Sequence, residues 1–185
     1  MDVIVQDEAK IYRNLYFDKL DEGHIFVYPT DTIYGIGCDA TNKEAVAKIR
    51  EAKDRAENPF SVIAPSKQWI LDNCEISEGA LNRLPGQVTL IVRLKNKDAI
   101  ADNVAPGLDT VGVRIPEHWI SEFVQGYEKP VVTTSVNKQG EEFITQIDDI
   151  SSSIKGKIDF AINEGEIKGR PSTIINTIKN NTIER

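Results

Sequence analysis

Residues 28–37 read YPTDTIYGIG. Apolar residues on both sides of a short polar turn predict a strand, a turn and a second strand. Thr30 and Thr32 flank Asp31, and Gly35 and Gly37 follow at alternate positions. Three structures satisfy that arrangement: a dinucleotide-binding loop, a hairpin corner, or one wall of a site built from distant segments.

The surrounding chain reads as an alternation of helices and strands. Upstream, residues 7–22 carry Ala9, Tyr12, Leu15, Tyr16 and Leu20 at near-helical spacing, and HIFVYP (24–29) is a strand. Downstream of the second strand, TIYGIGC (32–38), Thr41 and Glu44 have capping-box spacing. Ala45, Val46, Ile49 and Ala52 then form one apolar helical face. PFSVIAP (59–65), QVTLIVRL (87–94), TVGVRIP (110–116) and KPVVTTS (129–135) read as strands. KQWILDNC (67–74), SEGALNRL (77–84) and HWISEFV (118–124) read as short helices, and DDISSSI (148–154) as a helix start. IDFAINEG, STIINTI and NTIER supply late strands. Early alternation with late clustering of strands predicts one α/β domain over 1–185, with a twisted mixed parallel and antiparallel sheet flanked by helices. A ligand cleft is expected at the strand ends.

The bulk numbers narrow the function. The chain has 185 residues, 40% hydrophobic and 28% charged, which fits a globular domain with its own core. A net charge of −7 argues against a broad nucleic-acid-binding surface. Two cysteines, Cys38 and Cys74, and two histidines do not make a zinc set, and no other metal-ligand set is evident. The thiols read as reduced thiols of a cytoplasmic protein. MDVIVQDEAK is no signal peptide, and no apolar stretch is long enough to span a membrane.

Three motifs are decoys. GIGCDA (35–40) fits GxGxxA, but Asp39 and Thr41 separate it from the following helix, unlike a dinucleotide turn; tight packing of strands explains the glycines better. GEIKGRPST (165–173) fails the spacing of a phosphate loop and has arginine where lysine is required. His24 and His118 sit at element starts and read as structural.

Chemistry concentrates elsewhere. Lys53 and Arg55 follow a helix, where cations offset the negative end of its dipole, the simpler reading of the pair alone. Because they lie two residues apart, a non-helical turn can also direct both to one side, where a point charge and a bidentate fork suit polyphosphate. Ser135 and Asn137 end a strand, where hydroxyl and amide groups cap a turn or bind ligand oxygens. Arg114, inside an apolar strand, needs a carboxylate partner, internal or from a substrate.

The combination resembles the YrdC-like domain family, the threonylcarbamoyl-AMP synthases of tRNA modification. PTDTIYGIG, the KxR of Lys53–Asp54–Arg55, NPFSV, PGQVTLIV, LDTVGVRIP, the SxN of Ser135–Val136–Asn137 and PSTIIN follow the family's segments in order. The resemblance covers residues 25–185 and the short, single-domain form. It implies an enzyme that joins L-threonine, bicarbonate and ATP, with Mg²⁺, into threonylcarbamoyl-AMP and pyrophosphate. A separate threonylcarbamoyl transferase complex then modifies tRNA position 37, so contact with tRNA is weak or indirect.

By the same resemblance, Lys53, Arg55, Ser135 and Asn137 form the catalytic set. Arg55, Asn58, Thr110, Asn137, Thr145 and Arg185 line the nucleotide. Thr32, Arg114, Ser135 and Ser172 bind the amino-acid side, with Arg114 on its carboxylate. Gln87, Gln139, Glu141, Glu142 and Asn176 depart from the family's usual residues, which leaves a paralogue acting on another substrate as a second reading. An RNA-binding module is the third, without a basic stripe to carry it. The polar run 139–145 is the candidate mobile element.

Overall fold

The computed structural model describes residues 1–138, 140–179 and 181–183. Among the described residues, eleven strands form one mixed sheet. They are β1 (Asp2–Val5), β2 (Phe26–Tyr28), β3 (Gly35–Gly37), β4 (Ser61–Ile63), β5 (Cys74–Glu75), β6 (Val88–Leu94), β7 (Thr110–Arg114), β8 (Val131–Ser135), β9 (Phe160–Asn163), β10 (Thr173–Asn176) and β11 (Asn181–Ile183). The order is β1-β9-β2-β3-β8-β4-β7-β6-β10-β11, with β5 pairing β6. Parallel pairs such as β4 with β7 occur beside antiparallel ones such as β6 with β7, the mixed sheet expected from the sequence.

Helices cover both faces. β2 shows why: Val27 joins one apolar cluster, while Phe26 and Tyr28 join another. On the first face lies α3 (Lys43–Lys53) through Ala45, Val46 and Ile49. On the second lie α2 (Arg13–Asp21), through Tyr16 and Leu20, and α6 (Ile120–Tyr127), through Phe123, Val124 and Tyr127. The remaining helices, α1 (Gln6–Ile11), α4 (Lys67–Asn73), α5 (Glu78–Leu81) and α7 (Ser152–Lys155), are short.

Several local expectations change. The single helix over 7–22 is broken at Tyr12, whose ψ of 26° leaves the helical region. α3 is capped by Asn42, whose side chain accepts from Glu44 N and Ala45 N at 3.1 and 3.0 Å. Thr41 instead bonds Asp39, so the capping box from Thr41 does not form. β1 and β5 are strands beyond those expected; β5, with two residues, is too short for a periodic signal.

The two glycines of the opening stretch pack, rather than bind a dinucleotide. A Cβ on Gly35 would meet the Tyr28 ring at 3.1 Å, and one on Gly37 would fall 2.1 Å from Val132 O. Tyr28 lies across β3 and donates to that same carbonyl at 2.9 Å. Both cysteines are free and buried, and burial pushes both thiols up. No described helix is long and apolar enough to cross a membrane.

Candidate active site

The turn after β2 builds the first wall. Thr30 Oγ1 accepts from Thr32 N at 3.1 Å and from Ile33 N at 3.3 Å, closing the turn on itself. That leaves the Thr32 hydroxyl turned to Arg114, accepting from Nη1 at 3.2 Å. Thr30 thus closes the turn's backbone, and its hydroxyl also meets Thr32 Oγ1 at 2.9 Å. Asp31 supplies the carboxylate that Arg114 requires, at 2.5 Å from Nη2. Sequence reasoning missed Asp31; its signal was an acid between two threonines and a buried arginine without a partner.

Arg114 is 5% exposed, and its Nε has no hydrogen-bond partner among the described residues. Burial disfavours the guanidinium charge and the Asp31 carboxylate opposes that. Gln87 donates to Asp31 O at 2.6 Å and steadies the same turn.

The KxR segment forms a second wall. α3 stops at Lys53 because Asp54 adopts a left-handed conformation, φ 51°. The reversal sends both cations to the end of β8. Lys53 is 2% exposed. Its ammonium donates to Ser135 O, to Asn137 O at 2.6 Å and to Asn137 Oδ1 at 3.1 Å. Those acceptors use all three of its protons. Burial first, then Arg55, pulls the ammonium down to about 7, with Glu141 opposing. Arg55 donates to Pro59 O at 2.8 Å, reaches Thr134 Oγ1 at 3.5 Å and lies over the Phe60 ring. Ser135 Oγ donates to Asn137 Oδ1 at 2.5 Å. Arg50 braces the turn by donating to the carbonyls of Arg55, Ala56 and Asn58.

Two hollows meet on this side of the sheet. The smaller, about 180 Å³, is lined by Thr32, Arg114, Ser135, Asn137, Phe143 and Ser172, among others. The larger, about 380 Å³, runs past Thr110, Asn176 and Phe60. Lys53, Arg55, Asn58 and Thr145 line neither, although Lys53 and Arg55 bond residues that do. Asn58 is exposed, and Thr145 bonds Asp149 at 3.3 Å. Arg185 and Gln139 lie outside the described residues.

The phosphate-loop look-alike closes one rim. A Cβ on Gly169 would fall 1.6 Å from Thr32 O, so only glycine permits the approach. Tyr34 OH donates to Gly165 O at 2.8 Å and ties this loop down. His118 is bonded to Glu164 at 2.8 Å and accepts from Ile120 N, a structural arrangement. Among the described residues no three acidic, histidine or cysteine side chains form a metal cage.

Comparison with known proteins gives the family. The Sua5/YciO/YrdC family model, described as telomere recombination, matches residues 18–185. A protein of Pyrococcus abyssi named threonylcarbamoyl-AMP synthase is 36% identical over 162 residues, covering 83% of this chain and 47% of its own length. One of Aliivibrio fischeri with the same name is 28% identical over 183 residues, covering 93% of this chain and 97% of its own. The crystal structure of P. abyssi Sua5 complexed with L-threonine superposes with a TM-score of 0.85 at 30% identity, over 98% of this chain and 55% of that one. This chain therefore spans about half of the Pyrococcus relatives and nearly all of the Aliivibrio one. With a family match over most of its length, the chain belongs to the Sua5/YciO/YrdC family.

Proposed function

We propose that this protein is an L-threonylcarbamoyladenylate synthase. It joins L-threonine, bicarbonate and ATP and releases pyrophosphate. The observation that carries the reading is a buried arginine already held by Asp31 and Thr32, with Nε unpartnered, in the smaller of two adjoining hollows whose lining residues Ser135, Asn137, Thr134 and Pro59 are bonded by Lys53 and Arg55. The names of the relatives and the threonine complex of P. abyssi Sua5 support it.

Arg114 takes the amino-acid carboxylate, because a preset guanidinium binds it through charge-assisted hydrogen bonds. Thr32 and Ser135 fix its orientation, and Ser172 borders the same hollow. ATP enters the larger hollow past Thr110, with Arg55 on its phosphates. Lys53 acts through the Ser135–Asn137 turn that it holds. Asn58, Thr145 and Arg185 belong to the nucleotide set by resemblance. The carbamate of threonine attacks the α-phosphorus and pyrophosphate leaves; fixed cations stabilise the charge that develops.

Magnesium fits as part of the substrate. It takes most of its ligands from phosphate oxygens and water, and needs one or two carboxylates at most. Glu141 is an acid on this turn, its carboxylate accepting from Lys138 N and its carbonyl from Asn137 Nδ2. The acidic net charge of −7 supports a division of labour in which a separate transferase complex handles tRNA in the cytoplasm. The continuous strand order supports reading 1–185 as one domain.

The test is pyrophosphate release from ATP and bicarbonate, with and without L-threonine, with L-serine for comparison. Turnover that requires threonine is expected. Threonine-independent behaviour in folded, ATP-binding protein favours a paralogue with another substrate. Arg55→Ala and Lys53→Ala should each abolish most turnover; full activity in both overturns the assigned roles.

A further inference from the structure

Gly112 occupies the interior of β7, where glycine weakens a strand and marks a close approach of another group. A Cβ there would lie 2.4 Å from Ser61 Oγ and 3.0 Å from Thr89 Cγ2. Ser61 on β4 and Thr89 on β6 therefore flank the gap from the strands on either side of β7. Both residues line the smaller hollow and the larger one, so the gap above Gly112 is the passage between them.

The passage has a definite chemistry. Thr89 Oγ1 is paired with Ser172 Oγ at 2.7 Å, whereas Ser61 Oγ has no hydrogen-bond partner among the described residues. An apolar ligand group would strand that hydroxyl. A small oxyanion accepts from hydroxyls, and Arg114, nine-tenths buried with Nε unpartnered, borders the same hollow. The cations that suit phosphate lie instead at the end of β8.

We propose that Ser61 and Thr89 bind the one-carbon oxyacid of the reaction, bicarbonate before condensation and the carbamate carboxylate after it. This rests on the synthase reading above. The threonine nitrogen bonds to the bicarbonate carbon, and one oxygen leaves as water with the transferred protons. One carbamate oxygen then bonds to the α-phosphorus, and the bond to the β-phosphate oxygen breaks with its electron pair on pyrophosphate. Both steps join a group in the amino-acid hollow to one in the nucleotide hollow, so the joint falls over Gly112.

The experiment measures the bicarbonate KM at saturating threonine and ATP, in buffer depleted of carbon dioxide, for Ser61→Ala, Thr89→Val and Thr89→Ser. Threonine and ATP affinities are measured without bicarbonate by calorimetry. Ser61→Ala and Thr89→Val should each raise the bicarbonate KM about fivefold, the order of one lost hydrogen bond. Thr89→Ser keeps its hydroxyl and should stay near wild type. Gly112→Ala should block turnover, and circular dichroism shows whether it folds. An unchanged bicarbonate KM in both hydroxyl-deleting variants overturns the proposal, as does a loss confined to threonine or ATP affinity. Wild-type protein without threonine-dependent pyrophosphate release overturns the synthase reading itself, a result that is read before any variant is compared.

Discussion

The Asp31 carboxylate lies 2.5 Å from Arg114 Nη2, with the two side chains 7% and 6% exposed. The other Asp31 oxygen accepts from Glu117 N at 2.9 Å, so the acid joins the turn after β2 to the chain after β7. Removing one partner of such a pair leaves a buried charge uncompensated. Asp31→Ala should cost about 3–5 kcal/mol of stability. Urea denaturation checks this, and a loss within experimental error would mean that water already screens the pair.

Arg114→Lys keeps a positive charge but loses the planar fork. L-Threonine affinity should fall about tenfold or more, since charge-assisted hydrogen bonds contribute about 1.5–3 kcal/mol. ATP affinity should not change. Calorimetric titration of each ligand separates the two, and equal weakening of both would place Arg114 outside the amino-acid subsite.

Lys53 gives a pH dependence with a definite sign. Burial and Arg55 lower its ammonium from 10.5 to about 7 in the folded chain. Between those values the unfolded chain holds a proton that the folded chain lacks. Its contribution to stability is therefore smallest below pH 7 and rises with pH across that window. The gain in urea midpoint from about pH 6 to about pH 9 should be larger in wild type than in Lys53→Met. Equal gains would show that the three oxygen acceptors hold Lys53 charged throughout.

Gly37 should resist any side chain. The Cβ of Gly37→Ala would meet Val132 O at 2.1 Å, against backbone that cannot rotate away. The expected loss is about 1–3 kcal/mol or more, the scale of overpacking a core. Gly107→Ala is the contrast: nothing lies within 4 Å of its Cβ, and only its φ of +69° is penalised. Thermal unfolding of the two variants ranks the two costs.

At the helix start, Asn42→Ala should cost about 1 kcal/mol through the lost cap of α3. Asn42→Gly should cost only a few tenths. Chemical denaturation of both variants measures the difference.

Periodicity and punctuation in the sequence determined most of the strands, the apolar face of α3 and the mixed sheet, because those signals are local. They also marked Arg114 as out of place in an apolar strand, while the roles of Lys53, Arg55, Ser135 and Asn137 rested on the family resemblance. Local signals failed where two polar neighbours compete, as Thr41 and Asn42 do for one cap, and where a strand is as short as β5. Only the tertiary structure decided which groups meet. Lys53 finds acceptors on residues 82 and 84 positions away, and Arg114 finds its acid 83 positions away. Ser61 and Thr89 face each other only because strand order sets β7, with a glycine, between β4 and β6. Spacing along a chain records what a residue needs to be buried or exposed; which partner satisfies it depends on strand order and register, which long-range packing fixes.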